Sequence, residues 1–282
     1  MSLSNGSSSK PTSDVANEEI LIDRIKKMSL PNDTLSKSRS GKTDEQTLII
    51  FDLDKTLSDR DYPTRCALTA IQEQHPDFKD MSVQNLIDTY NMAHDKAYDK
   101  WLKGEIDSDD MDADKYDFFY TSLGLPEPTE DDFESFRRIY QPAYRSCRKA
   151  TPGSIETLVK LRDLGYRIAI ITNGRTDGQI RKAKDIGVYD LVERIITSEE
   201  VGVSKPSIEI FRYAARHFEI YPENTYMIGD SINCDIRGAI YSGLKQAVLY
   251  SPSSEESSQK VNGRDVPVIN HMSKLLDLLG HD

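Results

Sequence analysis

The chain has little cysteine, no long apolar run and no excess of basic residues, and each scarcity excludes a class of protein. Three widely spaced cysteines, Cys66, Cys147 and Cys234, form no metal-type pair, which predicts reduced thiols in a cytoplasmic protein. No run approaches the roughly 20 apolar residues of a membrane span, and the first residues lack the apolar segment of a secretion signal. Acidic residues outnumber basic ones, 47 to 36, which disfavours general nucleic-acid binding. We therefore expect no nucleic-acid partner and no membrane partner.

The first 46 residues differ in composition from the rest of the chain. They are rich in serine, and their acidic and basic residues balance. Such a segment buries too little apolar surface to offset the entropy lost on ordering, so residues 1–46 are predicted to be a disordered tail. One apolar island, residues 20–28, could form a short helix that either docks on the body of the protein or frays.

From residue 47 the sequence alternates short apolar runs with amphipathic helical patterns. A continuous apolar run of four to six residues is typical of a strand buried on both faces. The helix after the third run is predicted to begin at Pro206 and to bury Phe211 and Phe218. This alternation predicts an α/β fold with a Rossmann-like, doubly wound parallel sheet, formed by residues 47–59 and 150–282. The predicted strands are 47–51, 167–172, 194–197, 225–230 and 246–250.

Residues 60–149 interrupt the alternation. Apolar residues recur there at helical spacing, for example Leu86, Tyr90 and Ala97, and no strand-like run is present. The segment lies between the first and second predicted strands. We therefore expect a helical cap domain inserted into the α/β core.

Polar residues that can carry chemistry follow four of the predicted strands. The carboxyl ends of parallel strands meet at one edge of a sheet, where ligands of such folds bind. Crowded carboxylates repel each other unless a cation neutralises them, and all-oxygen ligation favours Mg²⁺. The sequence therefore predicts a magnesium site at this edge. The residues concerned are Asp52, Asp54, Thr172, Asn173, Lys205, Asp230 and Asp235.

Four ordered motifs in this set closely resemble those of the haloacid dehalogenase superfamily. DLDKTL is similar to its first motif, ITNG to its second, Lys205-Pro206 to its third and GDSINCD to its fourth. The resemblance covers residues 47 to about 275. The 120 positions from Asp52 to Thr172 accommodate a cap, and the 33 from Thr172 to Lys205 do not. This spacing is similar to that of members with a helical cap after the first strand.

The resemblance implies a role for each catalytic residue. Asp52 would attack phosphorus and form an aspartyl-phosphate, a covalent route that is open to carboxylates. Asp54 would protonate the leaving oxygen and then deprotonate the hydrolytic water. Lys205 would compensate negative charge on the nucleophile and on the phosphoryl group. A carboxylate at the position of Asp54 separates phosphatases and phosphomutases from the dehalogenases of the superfamily.

The resemblance also implies which residues bind the phosphate and the cofactor. Thr172 and the backbone of Asn173 would hold phosphate oxygens, together with Lys205. A Mg²⁺ ion would be the cofactor. Its implied ligands are Asp52, Asp54 through its carbonyl, Asp230 and Asp235.

These roles predict a phosphatase that hydrolyses a small phosphorylated metabolite and acts as a monomer or homodimer. The runs ITNGRTDGQ and SEEVGVSKPSIEIF are most similar to the branch of 5′-nucleotidases and N-acylneuraminate-9-phosphatases, which implies a nucleoside monophosphate or a sugar phosphate. Residues 58–150 hold 20 acidic and 12 basic residues, which disfavours a highly charged leaving group unless arginines offset it. The candidate arginines are Arg65, Arg145 and Arg175. A phosphomutase, a prenyl-phosphate phosphatase and a non-catalytic binding protein remain as alternatives.

Overall fold

The computed structural model describes residues 46–107 and 110–281. The predicted tail, residues 1–46, lies outside this part of the chain apart from Gln46. Seven strands form one sheet: β1 (Leu48–Phe51), β2 (Arg167–Thr172), β3 (Arg194–Thr197), β4 (Thr225–Gly229), β5 (Gln246–Tyr250), β6 (Ser258–Val261) and β7 (Arg264–Ile269). The α-helices are α1 (Asp61–Gln74), α2 (Val83–Lys103), α3 (Met111–Ser122), α4 (Glu130–Ser146), α5 (Ser154–Asp163), α6 (Thr176–Asp185), α7 (Ser198–Val201), α8 (Ile208–Phe218), α9 (Arg237–Tyr241) and α10 (Lys274–Leu278).

The sheet has the strand order β3-β2-β1-β4-β5-β7-β6. Every neighbouring pair is parallel except β6 and β7, which are antiparallel. The five predicted strands are therefore confirmed as the parallel core, with β1 at its centre. Two separate clusters of buried apolar residues cover the two faces of the sheet, as a doubly wound fold requires.

Two features of the core differ from the predictions. Strands β6 and β7 were not predicted, because the first three residues of β6 are exposed and the segment lacks a continuous apolar run. Helix α8 begins at Ile208 and not at Pro206. The Ser207 side chain caps it by accepting a hydrogen bond from the Glu209 amide at 3.3 Å, so serine and not proline marks this helix start.

Helices α1 to α4 form the predicted helical cap. Their apolar faces enclose a third cluster of buried residues, in which Phe136 packs against Phe78, Phe119 and Tyr90 with ring centroids 5.7 to 6.4 Å apart. Thr129 and Asp132 form a reciprocal capping box at the start of α4. The limits 60 and 149 of the cap domain remain a proposal.

The prediction of three reduced cysteines is wrong for two of them. Cys66 in α1 and Cys147, directly after α4, are paired as a disulfide with their Cα atoms 6.6 Å apart. Their sequence separation of 81 places the pair at the two ends of the cap, where α1 packs against α4, so no local pattern reveals it. Cys234 is free and buried.

No helix within the described residues is long and apolar enough to cross a bilayer.

Candidate active site

The site lies at the carboxyl edge of the sheet, where β1 ends at Phe51 and β4 ends at Gly229. Asp52 follows β1 directly, and its amide donates to the carbonyl of Ile228 at 2.8 Å, so the strand pairing fixes its backbone. Its side chain is buried, at 9% exposure. Asp230 follows β4, and Asp235 lies five residues further on in a single π-helical turn. The predicted convergence of Asp52, Asp230 and Asp235 is therefore observed.

The side chain of Lys205 contacts two of the three acidic residues, Asp52 and Asp235. Its Nζ donates to Asp52 Oδ1 at 2.6 Å, to Asp235 Oδ1 at 2.7 Å and to the carbonyl of Ile171 at 2.8 Å. The side chain is almost wholly buried, at 2% exposure. Burial alone would lower the pKa of Lys205, but the charges of Asp235 and Asp52 outweigh burial and raise it. Lys205 therefore remains an ammonium.

Three carboxylates meet at this point, and their donor set fits a divalent cation. One oxygen from each of Asp52, Asp230 and Asp235 lies within 4.8 Å of the other two. Burial raises the pKa of Asp52, and the charges of Asp235 and Asp230 raise it further against the opposing effect of Lys205. Burial and Asp235 raise the pKa of Asp230 to about 6. A hard cation would relieve this repulsion, and it prefers such oxygen ligands.

The packing of the three carboxylates Asp52, Asp230 and Asp235 depends on a glycine. A Cβ atom at Gly229 would collide with the side chain of Asp235. Oδ2 of Asp235, the carboxylate oxygen that does not contact Lys205, accepts the amide hydrogen of Ser231 at 3.0 Å. The close approach of strand β4 to Asp235 is therefore possible only without a side chain at position 229.

Asp54 lies outside the three-carboxylate cluster, and a different cation holds it. Lys182 Nζ contacts both of its carboxylate oxygens, at 2.5 and 2.7 Å, and Gln179 Nε2 donates to one of them at 3.3 Å. Burial raises the pKa of Asp54, but its pairing with Lys182 outweighs burial, so the pKa is lowered. Asp54 is thus held as a carboxylate beside the predicted nucleophile.

The second motif supports Lys205 through a side chain. Asn173 Oδ1 accepts the amide hydrogen of Lys205 at 2.8 Å, and its Nδ2 donates to the carbonyl of Lys205 at 3.1 Å. Thr172, the last residue of β2, is buried at 1% exposure. The amide of Gly174 donates to Ser198 Oγ at 2.9 Å, which links this loop to α7. The prediction assigned phosphate binding to the backbone of Asn173. The structure shows that the Asn173 side chain also holds the backbone of Lys205.

The cap reaches this region through a residue that the sequence analysis did not single out. Tyr98 of α2 accepts a hydrogen bond from Asn173 Nδ2 at 3.0 Å, and its hydroxyl oxygen lies 4.0 Å from Cys234 Sγ. Tyr98 does not belong to the buried cluster of the cap. Gln179 and Lys182 were also missed, although their spacing places both on one face of α6 after the second motif.

The three arginines predicted as contacts for the leaving group have other partners. Arg65 donates to Gln84 at 3.4 Å and Arg145 to Gln141 at 2.8 Å, both at the surface of the cap. Arg175 pairs with Glu199 at 3.7 Å, and 73% of its side chain is exposed. Arg60, directly before α1, is an arginine whose charge contributes to the lowered pKa of Asp54.

This arrangement can support attack by one carboxylate and proton transfer by another. Lys205 binds Asp52 through Oδ1, and Oδ2 accepts no hydrogen bond from the described residues. Oδ2 is therefore the oxygen that can attack an electrophile. Asp54 lies two residues further along the chain and pairs with a different cation, Lys182. The two carboxylates therefore have different environments, as distinct acid-base and nucleophilic roles require.

A comparison with protein families shows which family the chain belongs to. Residues 46–243 match the model of the haloacid dehalogenase-like hydrolases. The chain belongs to this family. The predicted superfamily is therefore confirmed, and with it the prediction of an enzyme of the hydrolase class.

Two curated relatives of the chain are phosphatases. The chain is 37% identical over 130 residues to the glyceraldehyde 3-phosphate phosphatase of Methanothermobacter thermautotrophicus, which covers 45% of this chain and 58% of that protein. It is 30% identical over 220 residues to the ribulose-1,5-bisphosphate 5-phosphatase of Halopiger xanaduensis, which covers 75% of this chain and 87% of that protein. The alignment with the first relative thus spans less than two thirds of its length.

Solved structures of the haloacid dehalogenase type share the fold. The Bacillus subtilis HAD-hydrolase YfnB superposes with a TM-score of 0.68 at 21% identity, covering 83% of this chain and 99% of that one. The L-2-haloacid dehalogenase of Xanthobacter autotrophicus gives a TM-score of 0.62 at 15% identity, covering 83% and 98%. The fold is therefore confirmed, and it is common to proteins with different reactions, so the reaction depends on the site.

Proposed function

We propose that the chain is a Mg²⁺-dependent phosphomonoesterase that hydrolyses a small phosphorylated metabolite through an aspartyl-phosphate on Asp52. The observation that carries this proposal is the pairing of two carboxylates, two residues apart, with two different lysines. Lys205 holds Asp52 and Lys182 holds Asp54. A dehalogenase of this superfamily has no carboxylate at the second position, so Asp54 favours phosphate ester hydrolysis over its dehalogenase relatives.

The nucleophilic step belongs to Asp52. Its backbone is fixed between two strands and Lys205 holds Oδ1, so Oδ2 is oriented toward the substrate before the reaction begins. Attack of Oδ2 on phosphorus forms the new O–P bond, and the bond from phosphorus to the leaving oxygen breaks. The ammonium of Lys205 stabilises the charge that accumulates on the transferring group.

Proton transfer belongs to Asp54. The leaving oxygen needs a proton as its bond to phosphorus breaks, and water must lose one as it attacks the aspartyl-phosphate. Because Lys182 keeps the pKa of Asp54 low, Asp54 must leave Lys182, at least in part, to carry a proton. We assign the release of Asp54 from Lys182 to the approach of the substrate beneath the cap.

The three carboxylates Asp52, Asp230 and Asp235 would hold the Mg²⁺ ion, with the carbonyl of Asp54 as a further ligand. The bound ion would neutralise the negative charge of the carboxylates and of the phosphoryl group. The magnesium-bound form of the structural relative YfnB supports this choice of ion.

Sugar phosphates are the substrate class that we propose first. The relatives include phosphatases for glyceraldehyde 3-phosphate, ribulose-1,5-bisphosphate and phosphoserine. The similarity to the branch of 5′-nucleotidases and N-acylneuraminate-9-phosphatases stays a prediction. Because of it, nucleoside monophosphates remain among the proposed substrates. A cap over the site encloses a small molecule and excludes a folded protein.

A substrate panel tests the proposal. Phosphate release would be measured with Mg²⁺ for sugar phosphates, nucleoside monophosphates, phosphoserine, a prenyl phosphate and a phosphopeptide. We expect kcat/KM to be highest for a sugar phosphate or a nucleoside monophosphate, without a bisphosphate activator. A hundredfold preference for the prenyl phosphate or the phosphopeptide would contradict the substrate class. A requirement for a bisphosphate activator would indicate a phosphomutase.

The Asp54→Asn variant separates acid-base catalysis from metal binding. Since the proposed metal ligand of Asp54 is its carbonyl, the affinity for Mg²⁺ should change less than twofold. Turnover should fall by about two to four orders of magnitude, the usual contribution of a general acid-base group. Calorimetric titration with Mg²⁺ and phosphate release would be measured on the same preparation. The Asp230→Asn variant is the matched control and should lose Mg²⁺ affinity; equal losses of affinity and rate in Asp54→Asn would exclude the assigned role.

A further inference from the structure

Helix α2 carries two stripes of side chains that serve different purposes. Leu86, Tyr90 and Ala93 belong to the buried core of the cap. His94, Tyr98 and Trp101 lie at helical spacing on a second stripe. The Tyr98 ring stacks on His94 with the ring centroids 6.0 Å apart, and it lies tilted beside Trp101 at 5.4 Å. The second stripe is therefore not needed for the apolar core of the cap.

Two residues of the second stripe contact residues outside α2. Arg60, directly before α1, contacts His94 Nδ1 at 3.1 Å. Asn173 of the core donates through Nδ2 to the Tyr98 hydroxyl at 3.0 Å. Tyr98 is the residue of the stripe that contacts a catalytic motif directly.

The amide of Asn173 links Tyr98 to Lys205. Two of its hydrogen bonds are to the backbone of Lys205, at 2.8 Å to the amide and 3.1 Å to the carbonyl, and they use Oδ1 and one hydrogen of Nδ2. The second hydrogen of Nδ2 is then available for Tyr98. Lys205 in turn binds Asp52 and Asp235. Tyr98 is thus separated from the nucleophile by Asn173 and Lys205.

The Tyr98 hydroxyl suits the role of an acceptor for this amide. Burial raises the pKa of the phenol, with Cys234, Asp52 and Asp235 adding to the effect, so the hydroxyl stays neutral. Its oxygen accepts from Asn173, and Cys234 Sγ at 4.0 Å is its other neighbour. The Asn173 hydrogen bond therefore joins α2 of the cap to the second motif of the core.

We propose that Tyr98 is a positioning residue through which closure of the cap fixes Asn173, and through Asn173 the lysine that holds the nucleophile. This inference rests on the proposed function. In this role Tyr98 contacts Asn173 and does not contact the leaving group. Closure of the cap over any phosphate ester would therefore complete the same hydrogen-bond chain, whatever the rest of the substrate.

The Tyr98→Phe variant tests the proposal, because it keeps the stacked ring and removes only the hydroxyl. We expect kcat to fall about five- to tenfold, the effect of one lost neutral hydrogen bond, with KM changed less than twofold. The factor should be the same for every phosphate ester that the enzyme hydrolyses. Tyr62→Phe is the matched control, since Tyr62 lies in α1 with 46% of its surface exposed.

A second measurement does not depend on turnover. The Lys205 amide donates to Asn173 Oδ1, so hydrogen exchange of the peptide 203–207 reports how firmly Asn173 is held. We expect faster exchange in Tyr98→Phe than in the wild type and in Tyr62→Phe. In the background of Asn173→Ala, the substitution Tyr98→Phe should change neither exchange nor residual kcat by more than twofold, since the linking amide is already absent.

Two outcomes would overturn the inference. An increase in KM that differs between substrates would show that Tyr98 contacts the leaving group. Unchanged kcat and unchanged exchange would show that Tyr98 only packs the cap. The test is distinct from that of the proposed function, which fails if the wild type hydrolyses no phosphate ester or if Asp52→Asn retains turnover; the exchange measurement still decides the role of Tyr98 in that case.

Discussion

Replacing Asp52 by asparagine is expected to abolish phosphate release, with kcat lowered by about four orders of magnitude or more, as for removal of a covalent nucleophile elsewhere. The amide of asparagine has nearly the same size as the carboxylate and still offers an oxygen to Lys205, but it is a poor nucleophile. The variant should also remain folded. The pKa of Asp52 is raised in the folded protein, so its charged form opposes folding at neutral pH, and asparagine removes that charge.

The measurement combines turnover with detection of the intermediate. In the wild type, rapid acid quenching during turnover should leave a phosphoryl group on the peptide that contains Asp52, and Asp52→Asn should show none. Asp163→Asn, at the exposed end of α5, controls for the general effect of removing one carboxylate. Turnover in Asp52→Asn within tenfold of the wild type would exclude Asp52 as the nucleophile.

The parallel core could be predicted from the sequence because its strands are buried on both faces. Strand β2 at 167–172 and strand β3 at 194–197 have the predicted limits, and each shows at most one residue that is not buried. A continuous apolar run has a direct physical meaning in such a sheet. Strand β6 lies at the sheet edge beside β7. Three of its four residues and the first two residues of β7 are exposed, so the apolar run is absent there.

The candidate site could be predicted in part for the same reason. Asp52 and Asp230 follow neighbouring parallel strands, so the topology alone brings them to one edge. Lys205 follows a loop and a short helix, and its place beside Asp52 came from the resemblance to known motifs and not from periodicity.

Contacts between side chains distant in sequence could not be predicted. The Lys182–Asp54 pair spans 128 positions and the Asn173–Tyr98 pair spans 75. Both depend on how the helices pack on the sheet. Cys66 and Cys147 form a third such pair, and neither residue has a neighbour in sequence that suggests the other.

Lys205→Met is expected to lower both stability and turnover, because it leaves Asp52 and Asp235 buried without their ammonium. Lys205 is 2% exposed and Asp235 1% exposed, so water cannot easily replace the lost charge. Removal of one partner from a buried ion pair typically costs about 3–5 kcal/mol, and we expect a loss of that size in the free energy of unfolding at pH 7. Turnover should fall by about a hundredfold or more, since a cation beside the transferring group is lost.

The pH dependence of this loss identifies its cause. Without Lys205 the pKa of Asp52, already raised by burial, should rise further. Relative to the wild type, the variant carries an added penalty that grows as pH rises from the folded pKa of Asp52 in the wild type to its higher folded pKa in the variant. The loss of stability should therefore be smaller at pH 5 than at pH 8. Urea unfolding with a chelator present would measure it at both values, so that no divalent cation substitutes for the lysine. Lys160→Met, at an exposed position of α5, is the matched control. An equal loss at both pH values would mean that Lys205 stabilises the protein by packing and not by its charge.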